Sequence, residues 1–224
     1  MEQAKIAKDY YKFSEYVSLD RFNTYWFQIN EVLGLEPKAV AEIGVGTGVV
    51  KYLVEGFGVP VTTIDINANL APDVVSPITS AAAALEGKTF DVVLCSRVFH
   101  HIPYSDVESA LENIRQLSSK YAVLVLAAED FRFYTALRLT SKRERFFSIP
   151  IPLFVKRMMI KALRASSDYY YNIWKVNSSP ATRKSVIDRM ISEKFSILKS
   201  YPVPKNHGHI IYVLEKKLTP YTLS

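Results

Sequence analysis

An apolar run that ends in three closely spaced glycines and restarts as a helix constrains this 224-residue chain more than any other feature. The stretch is AVAEIGVGTGVV, Ala39 to Val50, with Gly44, Gly46 and Gly48 at its turn. A strand feeding such a turn and then a helix brings bare backbone N–H groups and the positive end of the helix dipole to one point. A ligand can approach there without meeting side chains. The spacing misses the dinucleotide fingerprint, because Val49 stands where a small residue is required. No lysine and hydroxyl pair completes a phosphate-binding P-loop.

The flanking pattern alternates. Ser18 opens a predicted helix with Leu19, Phe22, Trp26, Ile29 and Leu33 on one face, and Gly34 closes it. Strand-type runs follow at Ala39–Ile43, Val61–Ile66, Asp73–Val75, Asp91–Ser96 and Tyr121–Leu126. Helices are predicted from the glycines to about Val54, over Ser80–Leu85, and under a capping box of Ser105 and Glu108 that leads Val107, Leu111, Ile114 and Leu117. This order implies an α/β fold: a parallel sheet with right-handed crossovers and helices on both faces. Ser179 and Pro180 start another helix carrying Ile187, Met190 and Ile191. Phe195–Val203 and His209–Leu214 then read as an antiparallel pair joined by PKNHG.

Between about residues 131 and 177 the alternation breaks, and we expect a helical cap inserted after the fifth strand. From Leu153 to Arg164, Arg157, Lys161 and Arg164 fall on one helical face, with Val155, Met158, Met159 and Ala162 on the other. The whole chain, 1–224, is expected to be one domain that includes this cap and is led by a helical segment over about 1–35.

Composition narrows the class. An apolar share of 49% with 22% charged residues excludes disordered and fibrous chains. The one cysteine, Cys95, excludes a disulfide framework and fits a reducing compartment. No window reaches the roughly 20 apolar residues of a bilayer span, and MEQAKIAKDYYKF has no apolar signal core, so a cytoplasmic protein is expected. Net charge is +6, yet Phe131–Arg164 alone carries nine basic residues against one acid. Such a surface attracts phosphates, acidic lipids or nucleic acid, or is simply a solvated face.

Two acids accompany the glycine turn: Glu42 just before it, and Asp65 at the end of the next strand in TTIDIN. With EIGVGTG, TTIDIN and FDVVLCSRVFHHIP in this order, the chain resembles the class I S-adenosylmethionine-dependent methyltransferases. The resemblance implies a Rossmann-like, doubly wound seven-stranded sheet, mostly parallel, with an antiparallel last strand near one edge. It implies that S-adenosyl-L-methionine lies over Gly44, Gly46 and Gly48, with Glu42 organising its amino group and Asp65 holding its ribose. Ile66, Ile78, Ser96, Arg97 and His101 are carried over as pocket wall. Many members have an acid after the third strand that meets the adenine; here Ser76-Pro77-Ile78 stands instead.

The sulfonium methyl needs no further activation, so the chemistry asks chiefly for alignment with an acceptor and exclusion of water. His100 and His101 are the candidate bases, and an unperturbed imidazole can accept a proton near neutrality. Glu129 and Asp130 end the fifth strand and either reach the cleft or cap a helix. Tyr171, Trp174, His207 and His209 are candidate acceptor contacts. No His, Asp and Glu grouping has metal-ligand spacing, so no metal is expected. The leading reading is methyl transfer to a small or medium acceptor, at oxygen or nitrogen. A nucleic-acid acceptor drawn to the basic segment, and a non-enzymatic module that binds the cofactor as an interaction unit or is held at a membrane surface, are the alternatives.

Overall fold

The computed structural model describes residues 16–130, 132–140, 143–152, 154–155, 158–159 and 173–217. Helix α1 (Leu19–Leu33) starts where Ser18 accepts the Arg21 N–H at 3.2 Å, one of the orphan donors of a first helical turn. Then β1 (Val40–Ile43), α2 (Val49–Gly56), β2 (Val61–Asp65), β3 (Val74–Val75), α3 (Ala81–Ala84), β4 (Phe90–Ser96), α4 (Val107–Leu117) and β5 (Ser118–Ala127) alternate as the sequence predicts. A hairpin follows, β6 (Arg132–Thr140) and β7 (Arg143–Pro150), before α5 (Lys184–Lys194), β8 (Phe195–Val203) and β9 (Asn206–Lys216).

The main sheet has seven strands in the order β3-β2-β1-β4-β5-β9-β8. The first five run parallel, and β9 is antiparallel to both β5 and β8. This is the expected Rossmann-like arrangement. Its carboxyl-terminal edge, over β1, β2 and β4, is where such sheets bind ligands.

Strand alternation assigns the two faces. Val40, Val92, Leu94, Val123, Val125, Ile211 and Val213 pack under Tyr25 and Val32 of α1 and Val50 and Val54 of α2. Ala41, Ile43, Val93, Cys95, Ala122, Leu124 and Tyr212 pack against α3, α4 and α5. Glu42 is two residues from Val40, so it sits on the α1 and α2 face, where an apolar residue would be ordinary.

Several expectations need correction. Residues 132–140 and 143–150 form an antiparallel ribbon, not helices, with Phe133 opposite Ile149 and Thr135 opposite Phe147. The aromatic and β-branched content of this stretch favours a pleated chain and outweighs the two prolines that suggested a helical cap. The Leu153–Arg164 helix falls largely outside the described residues, with Arg157, Lys161 and Arg164 among those not described; Met158 and Met159 are exposed. Ser105 does not cap α4: its hydroxyl bonds Asp106, and a single 3-10 turn at Tyr104–Asp106 leads into the helix. Ser179 and Thr182 form a capping box around a short 3-10 turn, and α5 begins later, where Asn177 Oδ1 accepts the Lys184 N–H at 2.9 Å. The last hairpin turns on two residues, Pro204 and Lys205, because Val203 already pairs with Asn206.

Helix α1 is rolled from the expected orientation: Ile29 and Leu33 of the predicted row pack against the core, but its first three members do not. It buries Thr24, Tyr25, Gln28, Glu31 and Val32 and leaves Leu19, Phe22 and Trp26 exposed. The polar face is satisfied in part by the sheet: Glu31 accepts from Lys199 Nζ at 2.9 Å and Tyr201 Oη at 2.8 Å, and Thr24 Oγ1 accepts from Asn206 Nδ2 at 2.8 Å. Among the described residues no helix is long and apolar enough to cross a membrane.

Candidate active site

The glycine turn leaves β1 at Ile43 and is braced on both sides. On the β2 side, Gly44 N–H donates to Ile64 O at 2.8 Å and Val45 N–H donates to Asp65 Oδ2 at 2.9 Å. The other Asp65 oxygen accepts Asn67 N–H at 2.8 Å, so this carboxylate holds the β2 loop against the turn. On the β4 side the fit is tight: a Cβ on Gly44, whose φ is +90°, would stand 2.5 Å from Val98 Cγ2. A side chain there is excluded by both conformation and contact. Around Gly46 nothing lies within 4 Å of a hypothetical Cβ, which leaves the crest of the turn open.

Glu42 is 2% exposed, and its Oε2 has no hydrogen-bond partner. Burial pushes its carboxyl up to about 8, against the opposing influence of the Lys51 charge and backbone N–H. Lys51 is itself committed elsewhere. Its Nζ reaches Asp73 Oδ2 at 2.8 Å, and that oxygen also takes the Thr63 N–H and hydroxyl, which together hold the Asp73 carboxyl down at about 2.

One cleft gathers most of the sequence-predicted site. Glu42, Gly44, Gly46 and Asp65 line it, with Ile66 and Ile78 along one wall and Ser96, Arg97 and His101 along another. Gly48 stands behind the turn as the left-handed N-cap of α2. Arg97 has φ +59°, an unusual conformation for a bulky side chain, just past the end of β4.

Not every candidate arrives there. His100 is buried and does not line the cleft; its ring packs 3.9 Å from that of His101, and its carbonyl accepts the Ile173 N–H. Burial, then the charges of His101 and Arg97, hold its imidazole well below the ordinary range, so it is neutral at pH 7. Trp174 is packing rather than cleft wall: Nε1 donates to Ile102 O at 3.1 Å, and the ring meets Tyr104 edge-on. That bond fixes the loop carrying His101. His209 lies within electrostatic reach of Arg97 and His100, whereas His207 faces Asp130 and Arg132 at the root of the hairpin. Glu129 and Asp130 do not line the cleft, and Asp130 pairs with Arg132 at 2.6 Å. Tyr171 lies outside the described residues.

Sequence reasoning missed several cleft residues, among them Asp106 and, at the α1 side, Tyr16, Tyr25 and Gln28. The signal was the polar series Thr24, Gln28 and Glu31 on a helix otherwise well supplied with apolar residues. Gln28 is 0% exposed, and neither side-chain amide atom has a partner. Tyr25 Oη accepts from Thr47 Oγ1 at 3.4 Å, which ties α1 to the glycine turn.

The architecture is shared with solved structures. The N-methyltransferase NodS from Bradyrhizobium japonicum WM9, in complex with S-adenosyl-L-homocysteine, superposes with a TM-score of 0.59 over 90% of both chains at 9% identity. The magnesium protoporphyrin IX methyltransferase ChlM from Synechocystis PCC 6803, also with bound S-adenosylhomocysteine, gives 0.58 at 13% identity over 94% of this chain and 98% of its own. An S-adenosylmethionine-dependent methyltransferase from Clostridium acetobutylicum ATCC 824 gives 0.57 at 10% identity, covering 94% and 97%. At such identities the likeness establishes the fold. A search of curated proteins found no match. The family comparison reaches further, because the methyltransferase domain family matches residues 20–160, which is more than half of the chain and includes the glycine turn, Asp65 and the loop after β4. The chain therefore belongs to the methyltransferase domain family.

Proposed function

We propose that this protein is an S-adenosylmethionine-dependent methyltransferase acting on a small or medium-sized acceptor. What carries the reading is one cleft lined together by the open glycine turn, the buried Glu42, Asp65 and the Ser96-Arg97 segment. S-adenosylmethionine, when bound, supplies a methyl group already activated on a sulfonium sulfur.

The residues suit that guest. Glu42, buried with an unpartnered oxygen, is completed by an ammonium group, which would return it to the ionised form. Asp65 offers a carboxylate to a ribose diol from the end of β2, and Ile66 and Ile78 offer apolar walls to a base. The open backbone at Gly46 admits the ligand chain, and Ser96 and Arg97 line the cleft beside it. Tyr25 and Gln28 close the cleft from α1.

Holding donor and acceptor in line accounts for up to roughly 7–11 kcal/mol of barrier in favourable cases, and the buried floor excludes water. His101, the histidine that lines the cleft, is our candidate to take a proton if the acceptor must lose one. His100 serves instead as its support.

Isothermal titration with S-adenosylhomocysteine tests the reading directly. We expect saturable binding, weakened about tenfold or more in Asp65→Ala, while Asp91→Ala, at the opposite end of the sheet, binds as wild type. Absence of binding at millimolar ligand to a folded protein would sink the proposal. Transfer of labelled methyl groups to a panel of hydroxyl and amine acceptors then decides between oxygen and nitrogen.

A further inference from the structure

The cleft crosses the ends of β2, β1 and β4 in that order, carrying Asp65, the glycine turn and Arg97 respectively. A ligand whose ribose meets Asp65 and whose amino group meets Glu42 occupies the β2 and β1 positions. The β4 end remains for the acceptor. There the protein gathers buried donors that it does not use.

Arg97 Nε is shielded from solvent and has no partner, although the guanidinium also bonds Tyr16. Its strongest ionisable neighbours are Tyr16, Arg21 and Tyr25, and none of them is a carboxylate. Arg21 stacks its guanidinium 3.7 Å over the Tyr16 ring and has its own unpartnered donor, Nη1. Gln28, fully buried and lining the same cleft, adds an amide with both ends unpartnered. Buried donors ordinarily have partners, and buried arginines are ordinarily paired with acids. Around Arg97 the backbone is also held in the left-handed region, φ +59°, a strain of the kind that persists where a site over-determines it. Shielded cationic donors, no neutralising acid among the strongest neighbours of Arg97, and a strained backbone call for an anion from outside the protein.

We propose that the methyl acceptor is an organic anion whose carboxylate is received by Arg97, with the Gln28 amide as second donor and Arg21 reinforcing the positive field. The proposal rests on the methyltransferase reading and adds the substrate class to it. Arginine suits the task because its planar edge meets a carboxylate side-on through Nε and an adjacent terminal nitrogen. Tyr16 and Tyr25 beside it are aromatic, and Val98 and Ile102 add aliphatic lining to the same cleft, so the body of such an acid is apolar.

The test uses protein saturated with S-adenosylhomocysteine, titrated with benzoate, phenylacetate and 4-hydroxybenzoate and with the three matching primary amides. We expect at least one acid to bind about tenfold or more tightly than its amide. Arg97→Met should abolish that preference, and Arg97→Lys should keep part of it. Binding of S-adenosylhomocysteine to Arg97→Met shows that the variant is folded. Acids that gain nothing over their amides, or a panel in which nothing binds, overturn the proposal. So does an Arg97→Met protein that keeps its fold but no longer takes S-adenosylhomocysteine, because Arg97 would then serve the cofactor's own carboxylate. Wild-type protein that fails to bind S-adenosylhomocysteine instead removes the methyltransferase reading, and this inference falls with it.

Discussion

Glu42 is a carboxyl group in a strand position built for an apolar side chain, and its energetics follow from that. Its folded-state pKa of about 8 lies above the ordinary 4.5, so the folded protein keeps a proton that the unfolded chain releases. The sign is therefore unfavourable: Glu42 subtracts stability progressively as pH rises from about 4.5 to about 8, and no further above that. Glu42→Gln removes the penalty. The ligand-free variant should be more stable than wild type at pH 8 by about 1–3 kcal/mol, or roughly 2–10 °C in Tm, with the difference shrinking toward pH 5. Its affinity for S-adenosylhomocysteine should fall at the same time. Thermal unfolding across pH checks the first expectation, and a difference that grows toward acid pH would refute the ionisation argument. Gly44 supplies a second residue-level test. Gly44→Ala places a methyl 2.5 Å from Val98 Cγ2 in a φ of +90°, so it should cost about 1–3 kcal/mol and disturb the turn. Adding Val98→Ala should recover the contact part of the loss but not the dihedral part, which separates the two causes in urea titrations.

Helix α1 shows what an element can conceal. Its apolar residues Leu19, Phe22 and Trp26 have helical spacing, and the ordinary inference turns that row inward. The structure turns it outward because the inner face must bond the sheet edge through Glu31 and Thr24 and close the cleft with Tyr25 and Gln28. Trp26→Gln, at a position 55% exposed, should therefore change stability by less than about 0.5 kcal/mol. Thr24→Val, which removes one of the two acceptors of the Asn206 amide and leaves only the Asp20 carbonyl, should cost about 1 kcal/mol by urea denaturation. Equal losses at both positions would mean that the apolar row is the packed one. The same contrast explains what was legible. The strands β4 and β5 were readable because strands buried on both faces leave long apolar runs, β1 and β2 because short apolar and β-branched runs flank the glycine turn, and the turn with Asp65 because backbone geometry restricts residue type. The ribbon of β6 and β7 was not readable in the same way: its Phe133, Leu137, Phe147 and Ile149 are exposed and make few core demands, and Pro150 with the following Pro152 imitates a helix boundary. Trp174 and Gln28 were misjudged or missed because their partners, Ile102 and the cleft, are distant in sequence.

At the scale of the whole molecule, Cys95 reports on cooperativity. It sits at 0% exposure in β4, between β1 and β5, and burial pushes its thiol up from the usual range. Modification needs the thiolate, so labelling in the native state is negligible and must proceed through opening of the central sheet. The Cys95 strand leads directly into Ser96 and Arg97 of the cleft, so an opening that exposes the thiol also dismantles the proposed binding site. S-adenosylhomocysteine at 100 times its dissociation constant should then stabilise the closed form by about 2.7 kcal/mol and slow labelling by roughly 100-fold, provided reclosing is faster than modification. The rate of reaction with an excess of an aromatic disulfide, followed with and without ligand, measures this. A rate that ignores bound ligand would mean that β4 frays without opening the cleft, and the sheet and the site would then be separate cooperative units.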